Sequence, residues 1–425
     1  MSLPNIWEIF HLKSSPYFQT ALQKDSNTKP LSLFVGRQRE LRRLLATIGS
    51  NLGSRQAVAG RPGLGKTTLV QVVKDKARAA GYWTADDFIS ITTESSGVLL
   101  GQLLAGVYDA VVACNPDGDN DPAVEEAQQL VCSVRLRSGT MNVSVAGFGV
   151  GGGGSEAVST PPSALILDGP RVLRNLLNYA LQKGAKGVLL HLNNLENLSE
   201  ADTQDAADVL RDIRDSALML DGLHIIVVGA TDAVRTVVNR HPQIRSVFSN
   251  PMILKELTLS NVYELLNNRY QALQIDANQS FRKPVEDSVV EKLYDIFRGD
   301  LRGMFKSLED GMQTLLLDMA EDVPASLNDL LLVLRKQNRE ELKEELGPTS
   351  WRRILQWAMA DSGSIQTRTT LSGIWDLDIE EISETMKKLV NSDTVEALPK
   401  RPECESEYLL TGKVRLATLG QSQGG

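Results

Sequence analysis

Gly60-Arg61-Pro62-Gly63-Leu64-Gly65-Lys66-Thr67 has the residue types and spacing of a phosphate cradle. Glycines at 60, 63 and 65 permit a tight turn in which successive backbone N–H groups aim at one phosphate, and a helix starting at the lysine adds partial positive charge. In that geometry Lys66 reaches the β- and γ-phosphates and the Thr67 hydroxyl ligates Mg²⁺, with Thr68 beside it. The competing reading is a glycine-rich turn without a ligand. The flanks favour the cradle: residues 56–59 form a short apolar run fit for a buried parallel strand, and residues 68–80 carry apolar positions at helical spacing. The expected cofactors are therefore ATP and Mg²⁺.

Elements that could position such a loop recur along the chain. A second strand is expected at 88–92, and two longer apolar strands at 187–192 and 223–228. Helical patterns at 97–113, 170–183 and 203–219 lie between them, with Asp168 read as a helix-start residue. This alternation predicts an α/β fold with a doubly wound parallel sheet, which places ligands at the strand C-termini. Asn193, Asn194 and Glu196 follow one strand there, and Thr231 and Asp232 another.

The rest divides into expected domains. Residues 1–33 read as an N-terminal arm rich in aromatic and apolar positions, and 34–259 as the nucleotide-binding domain. Within it, alternation from Val131 onward and glycines up to Gly154 predict an inserted β-hairpin with a glycine tip at 131–154; a surface loop and a mobile finger touching DNA or a neighbouring subunit both stay open. Residues 260–346 read as a helical lid with a connecting helix, ending at Gly347-Pro348. In 347–425, three helices followed by strand-like runs at 395–398 and 408–416 give a winged-helix layout.

Composition narrows the classes. The 425 residues carry a formal net charge of −8, so any nucleic-acid contact must come from a local patch working against the overall field. Cys114, Cys132 and Cys404 are far apart, without a C-x-x-C pair, which points to a reducing compartment. The sequence shows neither a signal pattern nor an apolar run of 18 residues, so a cytoplasmic protein with no membrane partner is expected.

Phe34-Val35-Gly36-Arg37, the phosphate loop, the strands ending at Asn193 and at Thr231-Asp232, Gly299-Asp300-Leu301-Arg302 and the C-terminal helices together resemble an AAA+ ATPase. More narrowly, the pattern is similar to the origin-binding initiator ATPases and their bacterial relatives, including transposition regulators and ATPases of phage defence. The resemblance implies that Val35, Gly36 and Arg37 border the adenine, that Thr231 or Asp232 senses the γ-phosphate and that Arg302 is the lid arginine. It also implies an arginine supplied in trans, for which Arg245 is the first choice and Arg240 the second, so that an ATP-dependent oligomer completes the site.

Two departures stand out. The family has Asp-Glu where this chain has Asn193-Asn194; an amide accepts hydrogen bonds and can assist Mg²⁺ through its waters, but it carries no charge and is no general base. Slow hydrolysis is expected unless Glu196 substitutes. In the winged helix, the third helix opens with Asp378, Glu380, Glu381 and Glu384, which repel phosphate, whereas Lys400, Arg401, Lys413 and Arg415 lie near the hairpin. Contact of the wing with a DNA backbone and docking of a protein partner both stay open. Two functions follow: an ATP-dependent switch acting on DNA or a DNA-bound partner, and a scaffold in which nucleotide fixes a conformation, for example in antiviral defence.

Overall fold

The computed structural model describes all residues except 1–4, 25–28, 92, 119, 139–161, 194, 196, 197, 199, 277, 319–324, 362, 363, 399–403 and 421–425. Its contacts divide the chain into two units: residues 37–60 and 66–254, and residues 1–36, 61–65 and 255–425.

The first unit is a three-layer α/β sandwich. Strands β1 (Ser54–Ala59), β2 (Ile89–Ser90), β3 (Val188–Asn193), β4 (Leu223–Gly229) and β5 (Met252–Ile253) form a parallel sheet in the order β2-β3-β4-β1-β5. β1, β3 and β4 are buried along their whole length, as strands covered on both faces must be. Around them lie α1 (Gln38–Gly49), α2 (Lys66–Ala79), α3 (Ser96–Cys114), α4 (Pro122–Ser138), α5 (Pro162–Gln182), α6 (Glu200–Asp212), α7 (Thr231–Asn239) and the single turn α8 (Pro242–Arg245).

The sequence reading needs correction in this unit. The segment 131–138 is not the start of a hairpin but the end of α4, because Val124, Ala127 and Val131 repeat at helical spacing and are buried in the core. Arg135 fixes that helix to Asp109 of α3 at 2.6 Å. The remainder of the expected hairpin, 139–154, lies outside the described residues. α5 begins eight residues before Pro170, which sits inside it; Asp168 is therefore an exposed mid-helix residue, 3.5 Å from Arg171. Among the described residues, α3 is the one helix long and apolar enough to cross a membrane by length and mean hydropathy, although Gln102 and Asp109 interrupt its apolar run. Leu99, Leu100, Leu103, Leu104 and Val107 bury it in the core of this unit.

The second unit is helical. α9 (Leu259–Ala272), α10 (Asp287–Phe297) and α11 (Leu301–Asp318) pack with the N-terminal arm, whose Trp7, Phe10, Leu12, Tyr17 and Phe18 enter the same core. Arg269 of α9, fully enclosed, donates to the carbonyls of Pro16 and Phe18 at 3.0 and 2.9 Å and lies over the rings of Phe18 and Phe305. α12 (Leu327–Asp361) is a long helix interrupted at Gly347, where φ is +70°, with Pro348 next.

Beyond that kink come β6 (Gln366–Thr367), α13 (Arg368–Trp375), α14 (Ile379–Asn391), β7 (Val395–Ala397) and β8 (Glu407–Leu410). The three strands form an antiparallel sheet in the order β6-β8-β7. The run expected as strand to Leu416 stops at Leu410; Thr411 starts α15 (Gly412–Thr418), which buries Val414, Leu416 and Ala417.

Candidate nucleotide site

In the sheet unit, the C-terminal edge gathers the expected residues. Ala59 pairs with Gly229, and the Gly60 amide donates to the Gly229 carbonyl at 3.3 Å, so the phosphate loop leaves β1 beside the end of β4. Thr231, buried, opens α7 one residue beyond Ala230. Lys66 is buried at the first turn of α2, and its ammonium donates to the Gly60 carbonyl at 3.0 Å. The N-terminus of a helix such as α2 presents amides and a partial positive charge to an anion. Positive φ at Gly63 and Gly65, +79° and +76°, gives the backbone its turn.

Asn193 ends β3. It is 7% exposed, and its Oδ1 has no hydrogen-bond partner among the described residues. A buried amide oxygen of that kind suits the water shell of a metal ion. Among the described residues no group of three His, Cys, Asp or Glu could hold a metal; Thr67 and Asn193 are the described residues that would assist Mg²⁺. Asn194 and Glu196 lie outside the described residues. His191, two residues before Asn193 on the same face of β3, is buried, and neither ring nitrogen has a partner among the described residues. Burial, then the charge of Lys74, lowers its pKa to about 3, so it is neutral.

In the helical unit, residues 61–65 meet the turn before α11. A Cβ on Gly63 would collide with Asp300 Oδ1 and lie 3.3 Å from Cβ of Arg302. Arg302 is exposed and forms no ion pair among the described residues. Burial raises the pKa of Asp300 most, against the Gly303 and Arg302 amides and the Arg61 charge, which lower it. Val35 is buried in the helical core, and a Cβ on Gly36 would lie 3.0 Å from Asn261 and Leu257. Arg37, at φ +54°, caps α1 within the sheet unit and lies 3.9 Å from Glu40. Sequence reasoning missed the carboxylates around Arg61, namely Glu396 and Glu256. No local pattern signals a pair formed so far apart in the chain.

The arginine candidates differ. Arg240 lies 3.7 Å from Asp208, which also takes Arg211 and His241, whereas Arg245 is exposed at the end of α8 without an ion pair among the described residues. The basic residues expected near the hairpin divide into two pairs. Lys413 is bound to Glu341 at 2.7 Å and lies near Glu345, and Arg415 is buried, its pKa lowered to about 10 mainly by burial. Both are α15 residues, not wing residues. Lys400 and Arg401 lie outside the described residues.

A glycine loop joining a buried parallel strand to a helix that begins Lys-Thr defines a phosphate-loop nucleotide fold. Over residues 33–228, a little under half of its length, the chain matches the family model of the AAA ATPase domain. No curated protein matches the chain. Among solved structures it is similar to the Aeropyrum pernix ORC1 protein in complex with DNA (13% identity, 91% of this chain and 92% of that one, TM-score 0.44). It is also similar to the Aeropyrum pernix ORC2 protein in its ADPNP–ADP complexes (13%, 95% and 95%, TM-score 0.47) and to a Walker-type ATPase of Pyrococcus abyssi (11%, 95% and 99%, TM-score 0.49).

Proposed function

We propose that this chain is an ATP-binding AAA ATPase switch that turns over slowly and assembles through its nucleotide sites. The observation that carries the reading is the pairing of a complete phosphate-loop sequence, whose Lys66 bonds the Gly60 carbonyl, with an uncharged Asn193 at the end of β3. Lys66 supplies the charge for polyphosphate, while an amide where a carboxylate would hold magnesium's waters and orient the attacking water leaves binding intact and hydrolysis weak.

Arg245 is the arginine offered to a neighbour's γ-phosphate. Its exposure and its lack of an ion pair among the described residues support that role, and a finger in trans makes a complete site depend on assembly. The target of the C-terminal domain is a protein, or a protein already on DNA, rather than a DNA groove. Asp378 caps α14, whose first turn carries Glu380 and Glu381, and Lys413 and Arg415 are engaged inside the domain.

Calorimetric titration with ATP tests the core of the reading. The parent protein should bind and Lys66→Ala should not, with an unchanged circular dichroism spectrum. Affinity retained within a few-fold in the variant removes the phosphate-loop assignment.

A further inference from the structure

Arg61, the second residue of the phosphate loop, is held by carboxylates from two distant stretches. Its Nε and Nη2 donate to the two oxygens of Glu396 on β7, and Glu256 lies 3.5 Å from its Nη1. The side chains of Arg61 and Glu396 are 24% and 23% exposed, so the fork is half-shielded, where bidentate charge-assisted bonding is stronger than at an open surface. Asp300 brings a third carboxylate to the same loop, at Gly63. Residues 61–65, the turn before α11 and β7 all belong to the helical unit, so the cluster is internal to it.

A loop built to hold polyphosphate gains from positive charge, and carboxylates against its second residue oppose an incoming anion. That arrangement makes sense if the carboxylate is exchangeable. We propose that Glu396 is a stand-in anion: it occupies Arg61 until the terminal phosphates of a nucleoside triphosphate replace it, so that nucleotide binding unlatches β7 and its domain from the phosphate loop. The proposal rests on the nucleotide reading of residues 60–68. Phosphate oxygens accept the guanidinium fork as a carboxylate does, so the exchange replaces one bidentate pair by another while severing the tie to β7. Glu256, offering one contact where Glu396 offers two, is the lesser competitor.

The test uses the full-length protein, a non-hydrolysable ATP analogue, and two readouts: calorimetric affinity and hydrogen exchange of the β7 amides. Glu396→Gln should bind the analogue about tenfold more tightly than the parent, the difference expected from removing one half-exposed charged competitor. In the parent, the analogue should speed exchange in β7; in Glu396→Gln and in Arg61→Ala, β7 should exchange quickly with or without it. Equal affinity of parent and Glu396→Gln, or β7 protection that the analogue leaves unchanged in the parent, overturns the latch while leaving the nucleotide site standing. Absence of binding to both parent and Glu396→Gln overturns the site and the latch together.

Discussion

Asp300 Oδ1 stands where a Cβ on Gly63 would lie, and the same oxygen accepts the Arg302 and Gly303 amides at 3.1 and 3.3 Å. One carboxylate thus starts α11 and closes on the backbone of the phosphate loop. Gly63→Ala meets both this collision and a φ of +79°, so it should destabilise the protein by about 1–3 kcal/mol. It should also weaken ATP binding at least about tenfold as the loop amides lose their aim. Unfolding curves and calorimetry read the two effects. In an Asp300→Gly background the alanine should cost less, because the two changes share one contact; an identical cost in both backgrounds refutes the collision.

Hydrolysis should respond to charge at the end of β3. The parent is expected to turn over on the order of once a minute or less, against about 10 s⁻¹ for a typical enzyme. Asn193→Asp with Asn194→Glu should raise that rate by about 10²-fold, the range of an added general base. A steady-state phosphate-release assay decides, and a parent that already turns over several times per second contradicts the degenerate site.

Acid should weaken the sheet unit through two buried histidines. Burial, with smaller contributions from Lys74 and Arg55, lowers His191 to about 3 and His224 to about 4. The unfolded chain takes up these protons near pH 6.5 and the folded chain does not. Each group's contribution is therefore complete above pH 6.5 and is lost as pH falls towards 3–4, at no more than about 1.4 kcal/mol per pH unit per histidine. His191→Leu should flatten the decline of unfolding free energy between pH 6.5 and 4. A slope equal to the parent's excludes a neutral buried imidazole.

Assembly should need the exposed arginine of α8. Light scattering at micromolar protein should show a rise in mass when a non-hydrolysable ATP analogue is added to the parent, and no rise for Arg245→Ala. Arg302→Ala, by contrast, should lower ATP affinity about tenfold, as loss of one charged contact to phosphate does. Equal assembly of Arg245→Ala and parent rejects the trans arginine.

The sequence exposed what is local. The phosphate loop fits in eight residues, and β3 and β4 are continuous apolar runs that only a doubly covered strand requires. Where two periodicities compete, it misled: 131–138 alternates enough to suggest a strand, yet Val124, Ala127 and Val131 make it the end of a helix. Pro170 looked like a helix start and lies within α5, and 411–416 continued an apolar run that turns into α15. Arg61 and Glu396, 335 residues apart, are joined only by tertiary folding, which neither spacing nor composition reports.

The arm buried around Arg269 gives the molecule a particular order of construction. The first 36 residues share a unit with the chain from Lys255 onward, and the sheet unit is spliced between them. On a ribosome adding about 5–20 residues per second, the arm waits roughly 10–40 s for its partners to be made. During that interval Trp7, Phe10, Tyr17 and Phe18 have no completed core to enter. The sheet unit can collapse meanwhile, with its own strands already synthesised, so the aromatic side chains of the arm are what a chaperone could grip until α9 emerges.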